Sequence, residues 1–273
     1  MPNNTLTYWE ADGQSLHTYA KSITTLSGMG PPQFRGADHT VPLKPGQTWV
    51  PKTFDANTIT LAMVLRGIAE HATNIDGTPT KAQYQSNWND LIRMLWKPGQ
   101  LVSLRKRFYD GGILRQASAL VEYKGGLQPT MIGDKASRCT VDLNVLSGVF
   151  FDDNLTTEPL VNGNQNITVL GNAPTTRIFV TVNGARVNPK IRNNTAGVEF
   201  TYPRTLLAGA TVVADVENFG VTDSASPGVD MSPYVTQDGF AQWLVLRPGV
   251  NQINVSSTSG TGTVSLQYRA AWV

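Results

Sequence analysis

Cysteine occurs once in this chain, at Cys139, which excludes an internal disulfide framework and fits folding in a reducing compartment. Charge is scarce as well. Asp, Glu, Lys and Arg make up 15% of the 273 residues, against roughly 25% in an ordinary soluble domain. Their balance of +2 gives no electrostatic case for nucleic acid or for an acidic membrane surface. No apolar run approaches the roughly 18 residues that a membrane span needs. The first residues, MPNNTLTYWEADGQ, hold neither a basic stretch nor an apolar one, so no signal peptide is expected and the chain is read as soluble.

The residue sets that carry chemistry are missing too. His17, His39 and His71 show no H-x-H or H-x-x-x-H spacing and no cysteine pair accompanies them, so a histidine metal centre is not indicated. Asp152-Asp153 lacks the D-x-D-x-D-G pattern of a calcium loop, and strand neighbours point to opposite faces; the pair reads as turn formers. The glycines of SGMGPPQFRG are followed by neither Lys-Ser/Thr nor a helix, which makes them a loop rather than a phosphate cradle. Cys139 falls in register with Val141, Leu143 and Val145 and reads as core, not nucleophile. Arg105-Lys106-Arg107 is a basic cluster, but alternation sends Lys106 to the opposite side and no array of exposed aromatics accompanies it. A solvated or subunit-facing strand is expected there rather than a nucleic-acid site. A jelly-roll hydrolase would need a carboxylate or histidine constellation that the sequence does not offer. No catalytic, cofactor-binding or metal-ligating residue is assigned, no cofactor is expected, and the chain is not read as an enzyme.

What the chain has is turn chemistry and alternation. With 25 Gly and 16 Pro, and abundant Asn and Thr, it reads as mainly β, and its length admits two domains. TITLAMVL places Ile59, Leu61, Met63 and Leu65 on one face. One helix is expected over about 80–97, with Thr78 and Pro79 at its start and Tyr84, Trp88, Leu91, Ile92 and Leu95 at helical spacing. LVSLRKRF and RQASALVEY flank Asp110-Gly111-Gly112 as a β-hairpin, and RCTVDLNVL follows as a strand. From Asp152 to about Gln165 the apolar pattern lapses, which places a linker over 154–166 between domains 1–153 and 167–273. Beyond it, short strands at regular intervals predict an antiparallel sandwich or jelly roll.

Within that second domain, WLVLRPGVNQINVSS reads as two strands joined around Pro248 and Gly249. Trp243, Leu244, Val245 and Leu246 make the first buried on both faces, a wall rather than a sugar platform, with Gln252, Asn254 and Ser256 facing outward. Together with GNAPTTRIFVTVNG, NPKIRNNTAGVEF, LLAGATVVADVE and VSLQYRAAWV, this stretch resembles the siphovirus-type tail component family, the distal tail proteins of long-tailed bacteriophages. The resemblance is carried by Pro174, Gly184, Gly209, Trp243, Leu246, Pro248, Gly249, Asn251, Ile253, Tyr268 and Trp272, and spans about residues 55–273.

The resemblance implies a tail-tube-like β-sandwich belt domain with one helix, followed by a galectin-like sandwich. It implies a structural virion protein without catalytic residues, six copies of which close a ring between the tail tube and the tail tip hub or baseplate. The implied partners are the protein itself, the major tail tube protein, the tail tip hub or tail-associated protein, and the tape measure protein in the lumen, with no membrane and no specific nucleic acid. The implied location is the virion tail tip, after assembly in the host bacterial cytoplasm. The hairpin over 101–123 is the part expected to form the ring, its small Ala117, Ser118 and Ala119 allowing close approach. The alternative is a carbohydrate-binding tail protein whose sandwich contacts host cell-wall glycan.

Overall fold

The computed structural model describes residues 8–35, 53–69, 78–238 and 244–273; His39, His71 and Trp243 lie outside them. Over these residues the chain divides into two compact units, the first made of 8–35, 53–151 and 273 and the second of 152–238 and 244–272.

The first unit is an antiparallel sheet with a helix on its inner face. Its strands are β1 (Tyr8–Ala11), β2 (Lys21–Ser27), β3 (Asn57–Arg66), β4 (Val102–Asp110), β5 (Ile113–Gly126), β6 (Thr130–Gly133) and β7 (Ala136–Val145), and the spatial order is β1-β4-β5-β7-β3-β2, with β6 beside β7. Strands β3 and β7 pair along their whole length, from Ala136 opposite Arg66 to Val145 opposite Asn57. Alternation then buries Ile59, Leu61, Met63 and Leu65 together with Cys139, Val141, Leu143 and Val145 on one face. Burial pushes the Cys139 thiol up to about 11, as expected of a core sulfur.

The helix α1 runs over Lys81–Leu95. Its cap is Thr80 rather than Thr78: the Thr80 hydroxyl accepts from the Gln83 backbone N–H at 3.1 Å, and Pro79 lies outside the first turn. Tyr84, Leu91, Met94 and Leu95 are buried, but Trp88 and Ile92 are only half-buried, and Asn87 takes an inner position between Tyr84 and Leu91. Asn87 is held there because its amide donates to the carbonyls of Arg66 and Ile68 at 2.7 and 2.8 Å, ending β3 against the helix.

The second unit is a sandwich. One sheet has the order β8-β17-β10-β13-β14, from Thr156–Leu160, Thr263–Tyr268, Ile178–Asn183, Thr211–Asp215 and Gly220–Asp223. The other has the order β9-β16-β11-β12-β15, from Gly163–Val169, Gly249–Ser256, Lys190–Asn193, Val198–Thr201 and Thr236–Asp238. Ile178, Val180, Val182, Val264 and Leu266 of the first meet Ile167, Ile191, Phe200, Ile253 and Val255 of the second in one core. The stretch 154–166 expected as a linker is therefore strand: β8 and the start of β9 are edge strands of the two sheets. An edge strand needs one apolar face only, and Leu160, Ile167 and Val169 supply it while Glu158 and Pro159 sit on an unpaired border.

Candidate assembly surfaces

The hairpin β4–β5 turns at Gly111 and Gly112, with φ of +56° and +82°, the left-handed pair that a two-residue hairpin demands. Its strands stay in register from Asp110 opposite Ile113 to Val102 opposite Val121. It is not a free edge, since β1 lies along one side and β7 meets β5 on the other. Ala117 and Ala119 are buried in the core, so only Ser118 of that trio faces outward, where it accepts from the Arg105 Nε at 3.4 Å. Close approach of a neighbour through all three residues is thereby excluded. The period of two had already set Ala117 and Ala119 with Val121 on the inner face.

The basic cluster divides by the same alternation. Arg105 and Arg107 reach the carboxylate of Glu10 at 3.3 and 2.7 Å; Glu10 is itself 6% exposed. Lys106 follows Val102 and Leu104 inward and is 4% exposed, which corrects the expectation of a solvated strand at that position. Its Nζ donates to the main-chain oxygen of Val273 at 2.9 Å and stands 4.7 and 5.1 Å from the ring centres of Phe150 and Phe108. Burial pulls this amine down to about 8.

Apolar side chains also stay open on the hairpin, beside the exposed Glu122–Lys124 ion pair. Tyr109, Ile113 and Leu114 at its tip are 50–56% exposed. Leu101, Leu120 and Leu146 are each about half exposed, and the Leu146 N–H donates to the Leu120 carbonyl. A polar groove of about 810 Å³ lies between β1 and α1, lined by Tyr8, Asp12, His17, Asp90, Arg93 and Met94 among others. In it His17 stacks on Tyr8 at 5.8 Å, the Arg107 guanidinium covers the Tyr8 ring, Arg93 pairs with Asp90, and Lys97 pairs with Asp12. Burial lowers the His17 pKa. The ion pairs occupy the carboxylates, while the His17 Nε2 is buried without a hydrogen-bond partner among the described residues and the Ser15 hydroxyl donates to the His17 backbone oxygen at 2.9 Å. Among the described residues no cluster of His, Cys, Asp or Glu could hold a metal ion, and no helix is long and apolar enough to cross a membrane.

In the second unit the family-like residues build a loop anchor. Leu246 and Thr175 exchange backbone bonds at 2.9 and 3.0 Å, so the expected strand over 241–246 is, in its described part, a single bridge with Leu244 and Leu246 buried and Val245 partly so. Gly249 takes φ +88°. Asn251, fully buried, then accepts from the Arg247 N–H and the Asn193 amide, and donates to the Arg247 and Gly249 carbonyls. Asn193 completes the network on the Val245 carbonyl and the N–H groups of Thr195 and Ala196. Elsewhere in this core the Tyr202 hydroxyl donates to Asp223 at 2.7 Å; burial, with Asp223 beside it, pushes the phenol up to about 12. Tyr268 and Trp272 are buried. On the outer face Asn164, Asn194, Gln252 and Asn254 hydrogen-bond to one another, and Lys190 and Arg192 share Glu199.

Two antiparallel β units, the first with apolar residues exposed at a hairpin tip, make a mainly β protein. Residues 170–272, within the second unit, match the family model of the siphovirus-type tail component, C-terminal domain. The fold agrees over nearly the whole chain with the crystal structure of the Dit protein of phage SPP1, described as a paradigm of the hub adsorption apparatus in phages infecting Gram-positive bacteria. The TM-score is 0.64 at 10% identity, covering 98% of this chain and 100% of that one. Chains of the phage P2 baseplate in its activated conformation, with Ca or Sr, align at TM-scores of 0.44 and 0.43 and 8% identity, covering 98% of this chain and 100% of theirs. No curated protein sequence matches the chain. Over residues 170–272 the chain is similar to the siphovirus-type tail component, and its fold is that of the SPP1 Dit protein.

Proposed function

We propose that six copies of this protein close a ring at the distal end of the tail, joining the tail tube to the tip hub and leaving a channel for the tape measure protein and then DNA. The observation that carries this reading is the agreement of fold with a phage hub protein over 98% of the chain, joined to the family match of the second unit. A junction that must keep its axis open requires a head-to-tail interface that closes by rotation, which gives every copy the same two neighbours. The first unit is the ring former in this account. Its half-exposed Tyr109, Ile113 and Leu114 sit on a projecting tip where a neighbour can cover them. Its partners are copies of itself, the tube protein on one side and the hub protein on the other, and the ring assembles in the host cytoplasm without enzymatic activity. Native mass spectrometry of tip complexes released from purified tails tests the copy number. Six copies per tail are expected, and one or two copies would overturn the ring.

A further inference from the structure

We propose that Asn162 is a site of spontaneous deamidation, and that the carboxylate formed there completes an ion pair with the buried Arg186. The chain holds two Asn-Gly pairs, Asn162-Gly163 and Asn183-Gly184, the dipeptide in which the following backbone nitrogen is least hindered. The two sites differ in their surroundings. Asn162 is exposed in the short connection between β8 and β9, and Gly163, at φ +93°, has no atom within 4 Å of where a Cβ would stand. Around Asn183 the space is tighter, with the Gly262 Cα 3.2 Å from the corresponding position of Gly184. Both glycine N–H groups are committed, Gly163 in the ladder opposite Val255 of β16 and Gly184 to the Ala210 carbonyl at 2.9 Å, so the two sites differ in exposure and in space.

Arg186 supplies the second, independent observation. It is 3% exposed, its Nε donates to the Gly262 carbonyl at 2.7 Å and its Nη1 donates to the Asn162 Oδ1 at 2.8 Å. Among the described residues no carboxylate pairs with it, and burial lowers its pKa, as expected of a cation answered only by neutral oxygens.

The geometry places the guanidinium on the oxygen that gains charge. The Gly163 nitrogen forms a bond to the Asn162 Cγ and loses its proton to water, while Oδ1 takes up negative charge under the Arg186 N–H. The Cγ–Nδ2 bond then breaks and ammonia leaves with a proton from solvent. Water opens the resulting succinimide at either carbonyl, giving aspartate or isoaspartate at position 162. No oxidant or reductant is involved. The neutral acceptor on Arg186 becomes an anionic one, and a charge-assisted bond of this kind is roughly twice as strong as a neutral one. In a particle that persists after assembly, the change tightens the connection between the two edge strands as the protein ages.

Peptide mapping by tandem mass spectrometry tests the site, on the full chain held at 37 °C in mildly alkaline buffer and sampled over weeks. A one-dalton gain should accumulate at Asn162 several-fold faster than at Asn183; no gain at Asn162, or a rate no faster than at Asn183, overturns the proposal. The ion pair has its own readout. Asn162→Asp should melt above the unmodified protein and Asn162→Ala below it, and an Asn162→Asp variant that melts no higher ends the claim about Arg186.

Discussion

Replacing Lys106 by Met should stabilise the first unit, although Lys106 makes a hydrogen bond and two ring contacts. The fall of its amine from 10.5 to about 8 corresponds to about 3 kcal/mol of preference for the neutral form, at about 1.4 kcal/mol per tenfold change in proton affinity. Methionine keeps the length of the stem and removes the charge, giving up a charge-assisted hydrogen bond worth about 1.5 kcal/mol and an attraction to Phe150 and Phe108 of about 0.5 kcal/mol. The net expectation is a gain of about 1–2 kcal/mol at pH 7, which in a chain of this size raises the melting temperature by roughly 2–8 °C. The pH dependence separates this from better packing. Below pH 8 the lysine is protonated in both states and the full penalty is present. Between pH 8 and 10.5 the folded state sheds its proton first, so the natural protein gains stability with rising pH and the advantage of Lys106→Met shrinks. Urea unfolding of both proteins at neutral pH and near pH 10 measures it. A variant less stable than the natural protein at neutral pH, or a difference that does not narrow on the alkaline side, would refute the reasoning.

On α1, Leu91→Ala should destabilise the first unit by about 2–5 kcal/mol in chemical unfolding, Trp88→Ala by less, and Arg93→Ala by under about 0.5 kcal/mol; a larger loss for Trp88 would mean the helix packs on its other face. Asn251→Ala should cost the second unit about 2–4 kcal/mol, because it strands the amide of Asn193 and frees the loop at Arg247 and Gly249. A loss below about 0.5 kcal/mol would show that the network anchors nothing. Cys139, buried and with its thiol pushed up to about 11, should react with a thiol reagent only as fast as the protein unfolds, and rapid labelling of the native protein would contradict its place in the core.

Much of the fold was legible wherever period and polarity agreed. Ile59, Leu61, Met63 and Leu65, and Cys139 with Val141, Leu143 and Val145, alternate as they pack, and the hairpin at Asp110-Gly111-Gly112 is announced by its glycines. Where the two conflicted, period prevailed. Lys106 is in step with Val102 and Leu104, Asn87 is three residues after Tyr84 and four before Leu91, and Asn251 is in step with Ile253 and Val255; each is buried, and each was hidden by its own chemistry. What sequence could not supply was the partner that makes such burial tolerable: the carbonyls of Arg66 and Ile68, the main-chain oxygen of Val273, and the carbonyls of Arg247 and Gly249 come from chain directions that only the fold defines. The stretch 154–166 misled for a related reason, because Asn, Pro and Gly density signals a linker while an edge strand accepts the same composition. The buried Ala117 and Ala119 show that small residues on a hairpin locate an interface only after their face is known.

Imaging of purified tails tests the central claim most directly, using an antibody raised against residues 167–273 and averaging over many particles. The account predicts label confined to the tip, in sixfold positions around an open axis. Label along the whole tube or on the capsid would contradict it.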